Sequence, residues 1–167
     1  GFAAVIPTQK CGIIDMAGKT IVSCKYDLCG VITEKLAWVL IKKGNATKYG
    51  FADLETGKEI VPPRYDVIGN RHIDGMLPLV LNGKYGLFNI YTRKEILAPE
   101  YDEFLEFSEG LCAAKKNGYW GYVNENGKVV IPFIYDQAES FFESAANVVK
   151  NGKKLRISMQ GKILQTP

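Results

Sequence analysis

Apolar and polar positions along this chain come in short blocks, not in the long stripes of helices. Met76 to Leu81 and Leu111 to Lys116 are apolar or alternating runs of strand length. Each ends in an Asn-Gly pair, Asn82-Gly83 or Asn117-Gly118. That pair is the strongest short hairpin signal, because both central residues of a type I′ turn need positive φ. A second run follows at Lys84 to Asn89 and at Tyr119 to Asn124. Turns carried by Gly18, Gly57 and Gly127 then lead to a third, such as Val129-Val130-Ile131. Pro62, Pro99 and Pro132 end the pairing, since proline has no amide to give to a ladder. The pattern predicts three-stranded antiparallel meanders.

The meander recurs. IIDMAGKTIVSCKYD, FADLETGKEIVPPRYD, LFNIYTRKEILAPEYD and YVNENGKVVIPFIYD are four copies of one segment. In each, a lysine (Lys19, Lys58, Lys94 or Lys128) stands seven residues before the tyrosine of a Tyr-Asp pair. The pairs are Tyr26-Asp27, Tyr65-Asp66, Tyr101-Asp102 and Tyr135-Asp136, spaced 39, 36 and 34 residues apart. Gly1 to Val5 matches Gly110 to Ala114, and Gly161 to Leu164 opens a fifth copy, so the natural protein is expected to be longer. The expected organisation is one repeat domain over 1–167. It has a partial repeat at 1–5, repeats near 6–40, 41–80, 81–114 and 115–149, and a partial repeat at 150–167.

After three strands the chain is at the wrong end to begin again. It must travel back about one strand length, roughly 17–20 Å. Gly110 lies eight residues after Asp102, and Gly75 nine after Asp66. Either a short helical turn or extended chain covers that distance. Asp27, Asp66, Asp102 and Asp136 would suit N-caps of the helical form.

These columns resemble the bacterial WG-repeat family, with its Trp-Gly, Gly-Lys turn, proline and Tyr-Asp. The structural motif falls on Gly12, Gly50, Gly86, Trp120 and Gly121, and on the four Tyr-Asp pairs. Trp120-Gly121 carries the signature outright. Tyr49-Gly50 and Tyr85-Gly86 keep the glycine with a smaller aromatic. Cys11-Gly12 loses the aromatic and Lys154-Leu155 loses both, which questions regular packing of the last copy. Thr8-Gln9 replaces Asn-Gly, so the first hairpin turn is expected to differ. The resemblance implies an all-β tandem array of about four such meanders, open and superhelical or solenoid-like, with a propeller-like arrangement as the alternative. It also implies non-enzymatic binding or scaffold repeats.

Composition adds little to this. With 167 residues, 47% hydrophobic and 23% charged, the chain can bury a core without staples. No apolar run reaches membrane-spanning length. A formal charge of +3 does not point to nucleic acid unless the cations cluster.

His72, the single histidine, shares a column with Ile32, Phe107 and Phe141 and reads as packing material. No nucleophile sits beside a base, so no catalytic residues are assigned and the chain is not expected to be an enzyme. The four cysteines occupy non-equivalent repeat positions. Cys11 and Cys112 read as small buried hydrophobes, and Cys24 and Cys29 are placed to approach across a turn. They make no zinc pattern, the acids make no calcium loop, and no metal or cofactor is expected. The family resemblance favours an exported or cell-envelope location, while scattered unpaired thiols argue against it.

Charge is segregated along the repeat. The hairpin tips hold Lys10, Lys42, Lys43, Lys48, Lys84, Lys115, Lys116, Lys150, Lys153 and Lys154. The return segments hold acids, among them Asp27, Glu34, Asp66, Asp74, Asp102, Glu109, Asp136 and Glu143. In register the lysines form either a solvated edge or a track for an acidic partner, partly neutralised by the Tyr-Asp acids. Recognition should fall where the copies differ, which selects Trp38, Arg64, Arg71 and Tyr91 as candidate binding residues. The favoured partner is a protein met through an extended surface. The alternative is a carbohydrate at a cell surface, stacked on exposed aromatics.

Overall fold

The computed structural model describes residues 1–7 and 9–165. Among them there is no helix, and 19 strands form five small antiparallel sheets, none of which closes into a barrel. The first sheet holds β1 (Phe2–Val5), β2 (Cys11–Asp15) and β3 (Thr20–Tyr26). The second holds β4 (Leu28–Thr33), β5 (Leu36–Lys43), β6 (Ala46–Asp53) and β7 (Glu59–Tyr65). The third holds β8 (Val67–Ile68), β9 (Met76–Leu81), β10 (Lys84–Asn89) and β11 (Lys94–Tyr101). The fourth runs from β12 (Glu103–Ser108) through β13 (Leu111–Lys116) and β14 (Tyr119–Asn124) to β15 (Val129–Tyr135). The fifth runs from β16 (Gln137–Ala138) through β17 (Ala145–Lys150) and β18 (Lys153–Ser158) to β19 (Ile163–Gln165).

Strand order follows chain order in every sheet. The return segment takes the extended alternative, not a helical turn. It becomes an outer strand of the following sheet, paired with the first strand of that sheet's hairpin. Its reversal into that hairpin is a second two-residue turn. Asp74-Gly75 and Glu109-Gly110 supply the positive φ that such a turn needs, and Glu143-Ser144 does so without glycine.

The Asn-Gly turns form as the sequence predicts: Asn82, Gly83, Asn117, Gly118, Asn151 and Gly152 all have positive φ. The Thr8-Gln9 turn involves Thr8, which lies outside the described residues. Glycine of the Trp-Gly motif answers a different need. The pairing of Trp120 with Tyr135 and of Tyr122 with Ile131 leaves extra residues on β15 opposite Gly121. A Cβ there would sit 2.7 Å from the Ile131 carbonyl oxygen, and one on Gly50 would sit 2.5 Å from that of Val61. The proline of the motif lies in this bulge, where no ladder amide is required.

The chain divides into two compact units, Gly1–Asn82 with Phe88–Lys94, and Gly83–Leu87 with Glu95–Pro167. In the first unit the second sheet is buried on both faces, as period-two alternation allows. Ala37, Val39 and Ala52 pack with Ile13, Val22 and Tyr26 of the first sheet. Leu36, Phe51 and Tyr65 pack with Leu77, Leu79, Phe88 and Ile90. Phe51 and Phe88 lie near-parallel, ring centroids 4.2 Å apart. In the second unit Leu111, Trp120, Tyr122 and Ile131 of the fourth sheet pack with Phe141, Ala146, Val148 and Ile157. In the first of these contacts a large-residue face meets a small-residue face, whereas in the other two large residues stand on both sides. The four motif tyrosines, Tyr26, Tyr65, Tyr101 and Tyr135, are all buried.

Two expectations about cysteine are corrected. Cys11 is not an isolated small hydrophobe: it forms a disulfide with Cys29 across the first and second sheets. Cys24, expected near Cys29, is a free half-buried thiol whose Sγ lies 2.6 Å from where a Gly12 Cβ would be. The argument from unpaired thiols against an oxidising compartment then rests on Cys24 and Cys112 alone. Cys112 is free and buried, and burial pushes its thiol up to about 12.

Candidate functional site

The lysine row comes first, because its fate decides what remains for recognition. Asp27, Asp66 and Asp102 each hold two groups. One carboxylate oxygen takes the ammonium of Lys10, Lys48 or Lys84. The other accepts a backbone amide from the hairpin of the next sheet, Lys42 at 2.6 Å, Asn82 at 2.7 Å or Gly118 at 2.9 Å. The lysine hydrogen bond is the largest influence, and it holds all three carboxyls below the usual aspartate range. Asp136 caps Gly152 at 3.2 Å in the same way, but Tyr119 stands where the lysine would be. These aspartates are hairpin staples, not helix N-caps. They use up part of the basic row, since Lys10, Lys48 and Lys84 are paired within the protein.

Other charges are also occupied. Arg93 bridges Asp53 at 2.7 Å and Glu55 at 2.8 Å, and Lys35 reaches Glu55. Lys25 and the Tyr26 hydroxyl share Glu59. Burial first, and Glu59 second, raise the Tyr26 hydroxyl above its ordinary value.

Between the second and third sheets, within the first unit, lies a cavity of about 510 Å³. Its walls come from β4 (Val31, Ile32), β5 (Trp38), β6 (Tyr49), β8 and the segment after it (Ile68 to His72), and β9 (Leu77). Trp38 fits because its neighbour on β4 is Gly30: a Cβ there would meet the indole Nε1 at 2.6 Å. The indole is half-buried, 6.3 Å from the Tyr49 ring by centroid. β8 has two residues where β4 and β12 have six, so the chain from Gly69 to His72 leaves the ladder beside the opening. Gly69 still donates to the Pro78 carbonyl at 2.8 Å.

Of the four candidate binding residues, Trp38 and Arg71 line this groove together. Tyr91 stands next to it. Its ring lies over Gly75, where a Cβ would approach within 2.4 Å, and edge-on to His72, yet it is 67% exposed. Arg64 is elsewhere, over the Tyr65 ring and bonded to its hydroxyl at 3.0 Å. His72 corrects its reading as packing material: it is exposed on the groove rim, although Phe141 in the same column is buried. Tyr49 was missed because it belongs to a shared column. It lines the groove beside Trp38, a pairing that no single column reveals.

The second unit has a groove of about 430 Å³ at the equivalent place, lined by β16, β17 and β18. Registers align Glu139 with Gly30, Asn147 with Trp38 and Lys154 with Tyr49. There the Asn147 amide donates to the Glu139 carboxylate at 2.9 Å. Lys154-Leu155 does not disrupt the last copy, which keeps its four strands, with Leu155 packed against the core.

Among the described residues, no helix is long and apolar enough to cross a membrane. The family model described as "WG containing repeat" matches residues 12–44, 49–85, 85–120 and 120–153. No curated protein matches the chain. Among solved structures, the crystal structure of the tricorn protease matches at 13% identity and a TM-score of 0.28. That match spans 94% of this chain but 23% of the other, and at so low a score it carries no argument.

Proposed function

Since the chain belongs to the family of WG-containing repeats, we propose that it is a non-enzymatic binding module that meets a protein partner through an extended surface. One observation carries this reading. Recurring tyrosines, glycines and aspartates are committed to the core, the bulges and the staples, whereas strongly exposed apolar side chains such as Tyr91 and Phe142 stand at positions that differ between copies. Ile73 and Phe142 illustrate it: each occupies the turn before an inner strand and is exposed by 52% and 72%. Exposed apolar groups of this kind at variable positions suit partner contact more than solvent.

A partner identified by cross-linking would be tested against Ile73→Ser and Phe142→Ser in the full chain. Each change is expected to weaken binding by several-fold, and the two together by roughly the product. Complete loss from one change with no effect from the other would overturn the extended surface. A carbohydrate-binding reading has one observation in its favour, the half-exposed Trp38 and Tyr49 rings beside Asn70. A glycan array separates it from the first.

A further inference from the structure

The groove of the first unit combines features that the repeat itself does not call for. No acidic residue lines it, and its one full cation is Arg71. Among the described residues Arg71 has no ion pair, whereas Arg93, Lys35, Lys48 and Lys84 all have one. An exposed guanidinium presents a planar fork that matches a carboxylate with two parallel hydrogen bonds. Opposite it the wall is apolar, with Ile32, Leu77 and the Trp38 and Tyr49 rings. Among the described residues the backbone amides of Asn70, Arg71 and His72 also lack hydrogen-bond acceptors, because β8 ends at Ile68. Unpaired amides beside a sheet suit an extended peptide that brings its own carbonyls.

Resting on the binding-module reading, we propose that this groove holds a short acidic peptide segment of the partner. A carboxylate of that segment sits on Arg71, its neighbouring apolar side chain lies against Trp38 and Leu77, and its backbone meets the amides of residues 70–72. A neutral sugar fits less well. Sugars need polar groups around the ring edge, and here most polar groups occupy one rim while the facing wall offers only the Tyr49 hydroxyl and the Trp38 indole N–H. The cavity is large enough for a few residues, within the ordinary range of roughly 300–1,000 Å³ for ligand sites.

The test uses the fluorescence of the full chain, which has two tryptophans. Trp120 is buried and Trp38 lines the groove, so a ligand there alters Trp38 emission. The probes are an acetylated, amidated octapeptide of alternating leucine and aspartate, the same peptide with asparagine for aspartate, and cellotetraose. The acidic peptide should give a saturable change, weakened by about tenfold or more in Arg71→Gln and with the asparagine peptide, as the loss of a charged bidentate pair implies. A control change at Arg156, which is not in this groove, should leave the titration unaltered. Equal binding of both peptides, an unaltered Arg71→Gln titration, or a response to cellotetraose alone would each overturn the proposal. If the acidic peptide fails while a partner sensitive to Ile73→Ser still binds Arg71→Gln at full strength, the groove assignment falls and the binding-module reading stands.

Discussion

The second and fifth sheets share one four-stranded meander but present different chemistry at the same three positions. In the second, Gly30, Trp38 and Tyr49 make an aromatic wall. In the fifth, Glu139, Asn147 and Lys154 make a polar one. The strands, their order and the tyrosine anchors are set elsewhere, so these positions vary without disturbing the fold. The difference also has a local condition. Trp38 needs a glycine beside it, whereas Asn147 is short enough to face a glutamate and bond to it.

The largest expected break in this comparison is covalent. Cys29 of the second sheet stands where the fifth has Ala138, and only Cys29 is tied to a neighbouring sheet. A link between residues 18 apart in sequence constrains the unfolded chain by about 3 kcal/mol in the loop-entropy account. Urea unfolding with and without reductant should show a loss of that size. Coincident curves would mean that the link contributes nothing to stability.

Next is the motif glycine. Gly50→Val drives a side chain into the Val61 carbonyl and should cost about 2 kcal/mol or more. The fifth sheet has Leu155 in that column, and among the described residues β19 pairs with Arg156 and Ile157 but not across from it. Leu155→Val removes about one methylene, so it should cost less than about 1 kcal/mol. Equal shifts in the urea midpoint would contradict the bulge account.

A smaller effect tests the pairing of Gly30 with Trp38. Gly30→Ala should cost about 1–2 kcal/mol alone and close to nothing in a Trp38→Ala background, a coupling measurable by a double-mutant cycle. Glu139→Ala in the fifth sheet should stay within about 0.5 kcal/mol. The smallest effect is acid sensitivity. Lys48 holds the Asp66 carboxyl below its ordinary range. The staple's contribution is therefore full above about pH 4, the unfolded aspartate value, and is lost as pH falls through the lower folded value. Asp66→Asn should flatten the fall in thermal midpoint below pH 4, and an unchanged slope would show that the staple adds no acid sensitivity.

Strands bounded by Asn-Gly pairs and the recurring Tyr-Asp and glycine columns were legible, because each rests on local backbone geometry or on repetition. The return strand was not. Leu28–Thr33 and Glu103–Ser108 leave the sheet of the three preceding strands and join the hairpin of the following sheet, and β12 carries a register shift between Phe104 and Phe107, so period-two alternation is blurred. The Cys11–Cys29 link was hidden for a related reason. It depends on one sheet facing another, and Cys11 sits in a column that is aromatic in the next three copies. Half of the groove was visible, since Trp38 and Arg71 break the repeat. Their meeting was not, because it follows from the shortness of β8 and the width left by Gly30.

Strand order that follows chain order bears on how the protein comes into being. Every sheet is finished within about 35–40 residues of chain, so pairing needs no late search across the sequence and the loop-closure cost stays small. At synthesis rates of roughly 5–20 residues per second, a new sheet emerges every few seconds, long after its hairpins can form. The first, second and fourth sheets each hold an uncovered apolar face until the following sheet arrives. The interval between repeats, more than any distant contact, is then the period in which this chain is exposed to misassociation.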